Sequence, residues 1–96
     1  MLFAEKIRQL REERQLFQRQ VSAFLEIDNA LYCKIERGDR LAKREQVTAI
    51  AKFLLIDKNE LLTLWLADKI LGLIENEVQI ADDALNIAKE SINKRK

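Results

Sequence analysis

The tightest constraint in this sequence is a corner only three residues long. Apolar residues recur at helical spacing at Val21, Phe24 and Leu25 and again at Leu31, Tyr32 and Ile35, with only Glu26-Ile27-Asp28 between the two runs. A link that short does not join two long antiparallel helices; it joins two short ones at a steep angle. Asp28 stands where an N-cap would open the second of them and Gly38 where it would end, so this helix is expected from about Asp28 to Glu36. The absence of proline, and the presence of only Gly38 and Gly72 as glycines, point the same way. A sheet protein of this size needs many turns, and turns consume those residues.

The rest of the chain reads as helix in the same terms. Phe3, Ile7 and Leu10 give an amphipathic first helix over about Leu2–Arg14, and the second runs over about Gln18–Leu25. A fourth, over about Arg44–Leu54, carries Val47, Ile50, Ala51 and Leu54. Asp57 followed by Glu60 has the form of a capping box and opens a fifth, continuing to about Ile74. From Glu77 onward Val78, Ala81, Ala84, Leu85, Ala88 and Ile92 keep helical intervals up to a basic Asn93-Lys-Arg-Lys96 end. The expectation is an all-α protein: a compact domain of about five helices over residues 1–62 and a C-terminal helical extension over 63–96. At 96 residues the chain holds one modest core with an appendage.

The net charge of +1 is uninformative, but its distribution is not. Residues 1–44 hold ten Lys/Arg against seven Asp/Glu, residues 45–83 three against eight, and residues 84–96 four against one. A basic first half beside an acidic middle suits one face turned to nucleic acid and another turned away. A single cysteine, Cys33, excludes an internal disulfide and fits a reducing compartment. The first residues run straight into Glu5 and Lys6, and the longest apolar stretch, around Leu61–Ala67, is interrupted by Thr63 and too short to span a bilayer. A cytoplasmic protein without a membrane segment is expected. With no histidine, no phosphate-cradling glycine loop, no metal-ligand cluster and no nucleophile beside a base, neither catalysis, a cofactor, a metal nor a small-molecule ligand is expected.

Ile7-Arg-Gln-Leu-Arg-Glu-Glu-Arg14, Leu16 and Gln18, Leu25-Glu-Ile-Asp28, Lys34-Ile-Glu-Arg-Gly38, Ile50-Ala-Lys52 and Glu60-Leu-Leu62 follow one another in an informative order. Through them residues 3–62 resemble the Cro/phage-repressor (XRE-like) helix-turn-helix regulators. The resemblance implies that Asp28, Asn29, Ala30, Cys33 and Lys34 form the base-reading face of a recognition helix. It implies that Gln18 meets a phosphate at the start of the second helix and that Arg37, Arg40, Lys43 and Arg44 grip the backbone. It also implies an ion pair between Arg11 and Glu36. Gln15 and Glu26 depart from the pattern where it prefers glycine, and Phe17 where it prefers a capping Ser or Thr. The run Glu60–Lys69 is further similar to small regulators linked to restriction-modification genes.

The chemistry of these side chains stands without the family. Asn29 can pair bidentately with adenine, Lys34 can donate to guanine O6 or N7, and Ala30 can pack on a thymine methyl. Asp28 can cap the helix, accept from cytosine N4, or do both. The cations from Lys34 to Arg44 suit phosphate contacts, which set register without reading sequence. Cys33 beside Lys34 is open to a redox role, or is simply a small residue that lets the helix approach DNA closely. Tyr32, three residues before Ile35, is expected in the core.

The fifth helix is apolar on more than one face, whereas a surface helix on a small domain needs one stripe. Leu62, Trp65, Leu66, Ile70 and Leu73 are therefore expected to meet a second copy in a two-fold dimer, unless the C-terminal helix folds back and covers them. Three readings stay open: a dimeric regulator of transcription on double-stranded DNA, an antitoxin whose C-terminal segment binds a toxin, and a protein-interaction adaptor.

Overall fold

The computed structural model describes Met1–Lys96 and contains six helices and no strand: α1 (Leu2–Glu13), α2 (Gln18–Leu25), α3 (Asn29–Arg37), α4 (Arg44–Leu54), α5 (Lys58–Ile74) and α6 (Val78–Arg95). The expected all-α domain with a helical extension is present, and the helix limits differ from the sequence reading by a residue or so. α1–α4 and the first half of α5 enclose one core. Ile7, Val21, Tyr32, Ile35, Val47, Ile50, Leu54 and Leu61 are its fully enclosed large side chains. Each such side chain contributes roughly 1.5–3 kcal/mol on leaving water, which is what holds five short helices at fixed angles.

The corners share one device. α1, α2 and α4 each end in a residue of left-handed backbone, Gln15 (φ 54), Glu26 (φ 58) and Leu55 (φ 58). The next residue donates its N–H five residues back: Leu16 to the Arg11 carbonyl, Ile27 to Ser22 and Ile56 to Ala51. This is the Schellman termination, with an apolar residue following the left-handed one. Leu16, Ile27 and Ile56 all pack against the core, and their burial holds a conformation that glycine would adopt without cost. α3 ends in the same way at Gly38 (φ 82), where a Cβ would also stand 3.2 Å from Met1 Sδ.

Helix starts differ from the sequence reading. The Phe17 N–H is bonded by Gln20 Oε1 at 2.6 Å and the Lys43 N–H by Gln46 Oε1 at 2.8 Å, so each start keeps the returning half of a capping box without a side-chain cap. The Asp57 carboxylate reaches Asn59 N at 3.1 Å, one residue short of the capping-box position at Glu60. α1 is capped from far along the chain: Leu2 N and Phe3 N each donate to the Asp68 carboxylate at 2.9 Å. Asp68 is buried on α5, and its anion answers the orphan N–H groups and positive dipole end of α1.

Beyond Asp68 nothing on the chain is buried. α6 has no buried residue and does not fold back over α5, so of the two coverings considered for the surplus apolar face the internal one is absent. The Cα radius of gyration of 15.4 Å exceeds the roughly 12.5 Å of a compact chain this long, because the end of α5 and all of α6 form an arm. The five residues expected to meet a second copy divide accordingly. Trp65 is corrected to the chain's own core: it is 5% exposed and donates from Nε1 to the Ala42 carbonyl at 2.7 Å. Leu62 is half-buried against the same core, while Leu66, Ile70 and Leu73 lie open.

Candidate nucleic-acid interface

α3 is built to show one face. Tyr32, Ile35 and Glu36 are buried, at the spacing that sets side chains on one side of a helix. The remaining surface presents Asp28, Asn29, Ala30 and Lys34 to solvent, with Cys33 half-buried at the edge nearest α2. Asp28 occupies the N-cap position, but its carboxylate makes no capping bond and stays free.

Glu36 is the anchor of the unit. It is 4% exposed and accepts from Arg11 Nη2 at 2.8 Å, from Arg11 Nε at 2.9 Å, and from Gln18 Nε2 at 3.2 Å. Burial pushes its carboxyl upward, but the bonds from Arg11 and Gln18, with the Tyr32 hydroxyl close by, outweigh that and leave it below the ordinary carboxylate value. The Arg11 guanidinium is correspondingly held above its own ordinary value, chiefly by its hydrogen bonds to Glu36. Arg11 Nη1 also donates to the Leu16 carbonyl at 2.6 Å, so this one side chain binds the α1–α2 corner to α3. The Tyr32 hydroxyl is enclosed beside Glu36 without a well-formed hydrogen bond. Burial, with that anion alongside, raises the phenol far above its usual range.

From Glu36 the hydrogen bonds continue outward between α2 and α3. Gln18 Oε1 accepts from Cys33 Sγ at 3.0 Å, and Cys33 Sγ accepts from Asn29 Nδ2 at 3.8 Å. Ser22 Oγ lies 3.2 Å from Asn29 Oδ1. A polar seam thus runs from Arg11 to Ser22 and fixes the angle of the two helices at a corner that lacks glycine. Its existence could not be read from spacing, because Gln18 and Cys33 meet only once α2 and α3 cross. The Gln18 amide is occupied within this seam. What α2 leaves free at its start are the first backbone N–H groups, which have no intrahelical acceptor.

Arg37 at the end of α3, Arg40 and Lys43 in the loop that follows, and Arg44 at the start of α4 are all exposed. Arg37 Nε is paired with Asp39 at 3.1 Å, an exposed contact of little energetic weight that a phosphate can displace. Arg44 Cζ lies 5.9 Å from the centre of the Trp65 ring, which steadies its guanidinium at the mouth of α4. Sequence reasoning assigned no contact to Phe17 and Arg19. Phe17 is 63% exposed at the start of α2, with Arg19 Cζ 5.2 Å from its ring centre. The structure brings Gln18, Asn29 and Cys33 into one bonded group, whereas Arg40 and Lys43 make no side-chain bond within the chain.

A short helix held by one face on a scaffold, crossed by a second short helix and fringed with exposed cations, defines a helix-turn-helix DNA-binding domain. The chain belongs to the helix-turn-helix domain family, whose model matches residues 2–64. Comparison with curated proteins and with solved structures yields no match. No helix is long and apolar enough to cross a membrane.

Proposed function

We propose that the protein is a sequence-specific regulator of transcription of the Cro/phage-repressor (XRE) type, most simply a repressor, acting as a homodimer on a near-palindromic operator. The observation that carries this reading is the division of α3 into a locked face and an open one. Tyr32, Ile35 and Glu36 are fixed in the body while Asn29, Ala30 and Lys34 face solvent, as a reading head requires. Lys34 reads guanine and Ala30 a thymine methyl, with Asp28 and Cys33 flanking them, and Asn29 reads adenine by turning its amide from its long contacts with Ser22 and Cys33. Arg37, Arg40, Lys43 and Arg44 hold phosphates, and the start of α2 at Gln18 offers its free N–H groups to another. Residues 63–96 serve association, through Leu66, Ile70 and Leu73. The Glu60–Lys69 run is in keeping with regulators of restriction-modification genes.

An arm with no buried residue also fits the antitoxin reading, in which α6 folds around a toxin. Selection from random duplexes, followed by binding measurements across a salt series, tests the main reading. A palindromic consensus is expected, with affinity falling steeply as salt rises because phosphate contacts release counterions. No enrichment together with salt-independent binding would overturn it.

A further inference from the structure

α6 is a single unbroken helix of 18 residues with a sorted charge pattern. Val78, Ala81, Leu85, Ala88 and Ile92 recur at alternating steps of three and four and form an apolar seam on a helix solvated throughout, with Ile80 and Ile87 exposed beside it. Along one edge of that seam, seven residues apart, stand Asp82 and Lys89, with Lys96 seven further on at the C-cap, while Glu75 lies before the helix at the end of α5. Every cation after Lys69 lies in the second half of α6 or at its end.

The first half of α6 faces a groove of about 1030 Å³, closed on its other sides by the start of α1 and the end of α5. Leu2, Leu71, Ile74 and Leu85 give it apolar walls, and Glu5 and Asp82 are among the carboxylates at its edge, with no lysine or arginine anywhere in the lining. An acidic, apolar groove calls for a basic, apolar helix. The second half of α6 has that chemistry, yet it cannot enter its own groove, because the helix is continuous from Val78 to Arg95.

We propose that α6 pairs antiparallel with α6 of a second copy, each basic half lying in the acidic groove of the other. This rests on the homodimer reading above but seats the second copy on another face of the arm, since none of Leu66, Ile70 and Leu73 lines the groove. Antiparallel pairing sets Asp82 opposite Lys89 of the second copy, and Lys89 opposite Asp82, while Leu85 and Ala88 meet across the two-fold axis. The basic Lys94–Lys96 end then lies over Glu75 and Glu77. A parallel, in-register pair would instead bring the acidic halves together and the basic halves together. Within one helix Asp82 and Lys89 are about 10 Å apart, too far to pair, so the seven-residue alternation has no use inside a single chain.

The test is a charge exchange followed by sedimentation equilibrium on the full chain. Asp82→Lys and Lys89→Asp both fall at exposed positions, and circular dichroism checks that helix content is kept. Each variant alone should self-associate about tenfold more weakly, because both symmetric contacts become repulsive. Mixed in equal amounts, the two should pair with each other as tightly as the parent does with itself. The double variant Asp82→Lys/Lys89→Asp should recover self-association. A dimeric parent whose single variants are unaffected, or whose mixture shows no rescue, overturns the antiparallel pairing and leaves the homodimer standing. A parent that stays monomeric up to high concentration overturns the homodimer and the pairing with it.

Discussion

At the scale of single residues the structure turns on Glu36. Its carboxyl ionises below its ordinary value of 4.5 in the folded protein, so folding favours the anion. The stability this lends is complete above about pH 5 and is lost as pH falls through the unfolded value toward the folded one. Thermal unfolding followed between pH 7 and pH 3 should show that acid limb. Glu36→Gln should lower stability at pH 7 by about 3 kcal/mol, since it leaves Arg11 largely buried without its anion, and should flatten the limb. An unchanged limb in the variant would place the titrating group elsewhere. Leu55 makes the opposite case. It holds φ 58 while 87% exposed, so its side chain returns nothing for the strain. Leu55→Gly should raise stability by about 1 kcal/mol in a denaturant titration. Gln15 and Glu26 could be singled out in the sequence because they stand where glycine is preferred; nothing marked Leu55, since a left-handed terminus is set by where the next apolar residue must go.

At the scale of elements, the periodicity of apolar residues was enough to place all six helices, because α1–α5 each bury an apolar stripe and α6 keeps the same spacing without burying it. The seam between α2 and α3 was not legible in that way. It depends on Gln18, Cys33 and Asn29 meeting across a crossing angle that no spacing encodes. Asp68 as the cap of α1 was hidden for the same reason, its partners lying more than sixty residues away. Trp65 was half legible: an apolar helix with too many faces was evident, but the choice between its own core and a partner is made by the Ala42 carbonyl. For the reading helix, Lys34→Ala should cost about 1–3 kcal/mol at one operator position and relax specificity there. Arg44→Ala should weaken all duplexes alike and reduce the salt slope. Uniform weakening by Lys34→Ala in a competition assay would make Lys34 a phosphate contact.

At the scale of the molecule, the body and the arm answer to different demands. A chain ended after Asn76 should keep its melting temperature within a few degrees of the parent when both are monomeric, because α6 has no buried residue. The same chain should bind a palindromic site far more weakly than the parent, since joining two half-sites raises effective concentration. A large loss of melting temperature would show that α6 supports the body after all.

α1 is where these two parts of the molecule are joined. Its first residues are clasped by Asp68 where α5 leaves the body, and near its other end Arg11 grips Glu36 on α3. It is therefore the connecting rod of the molecule, one continuous helix bonded at one end to the root of the arm and near the other to α3, without crossing the corner between α2 and α3.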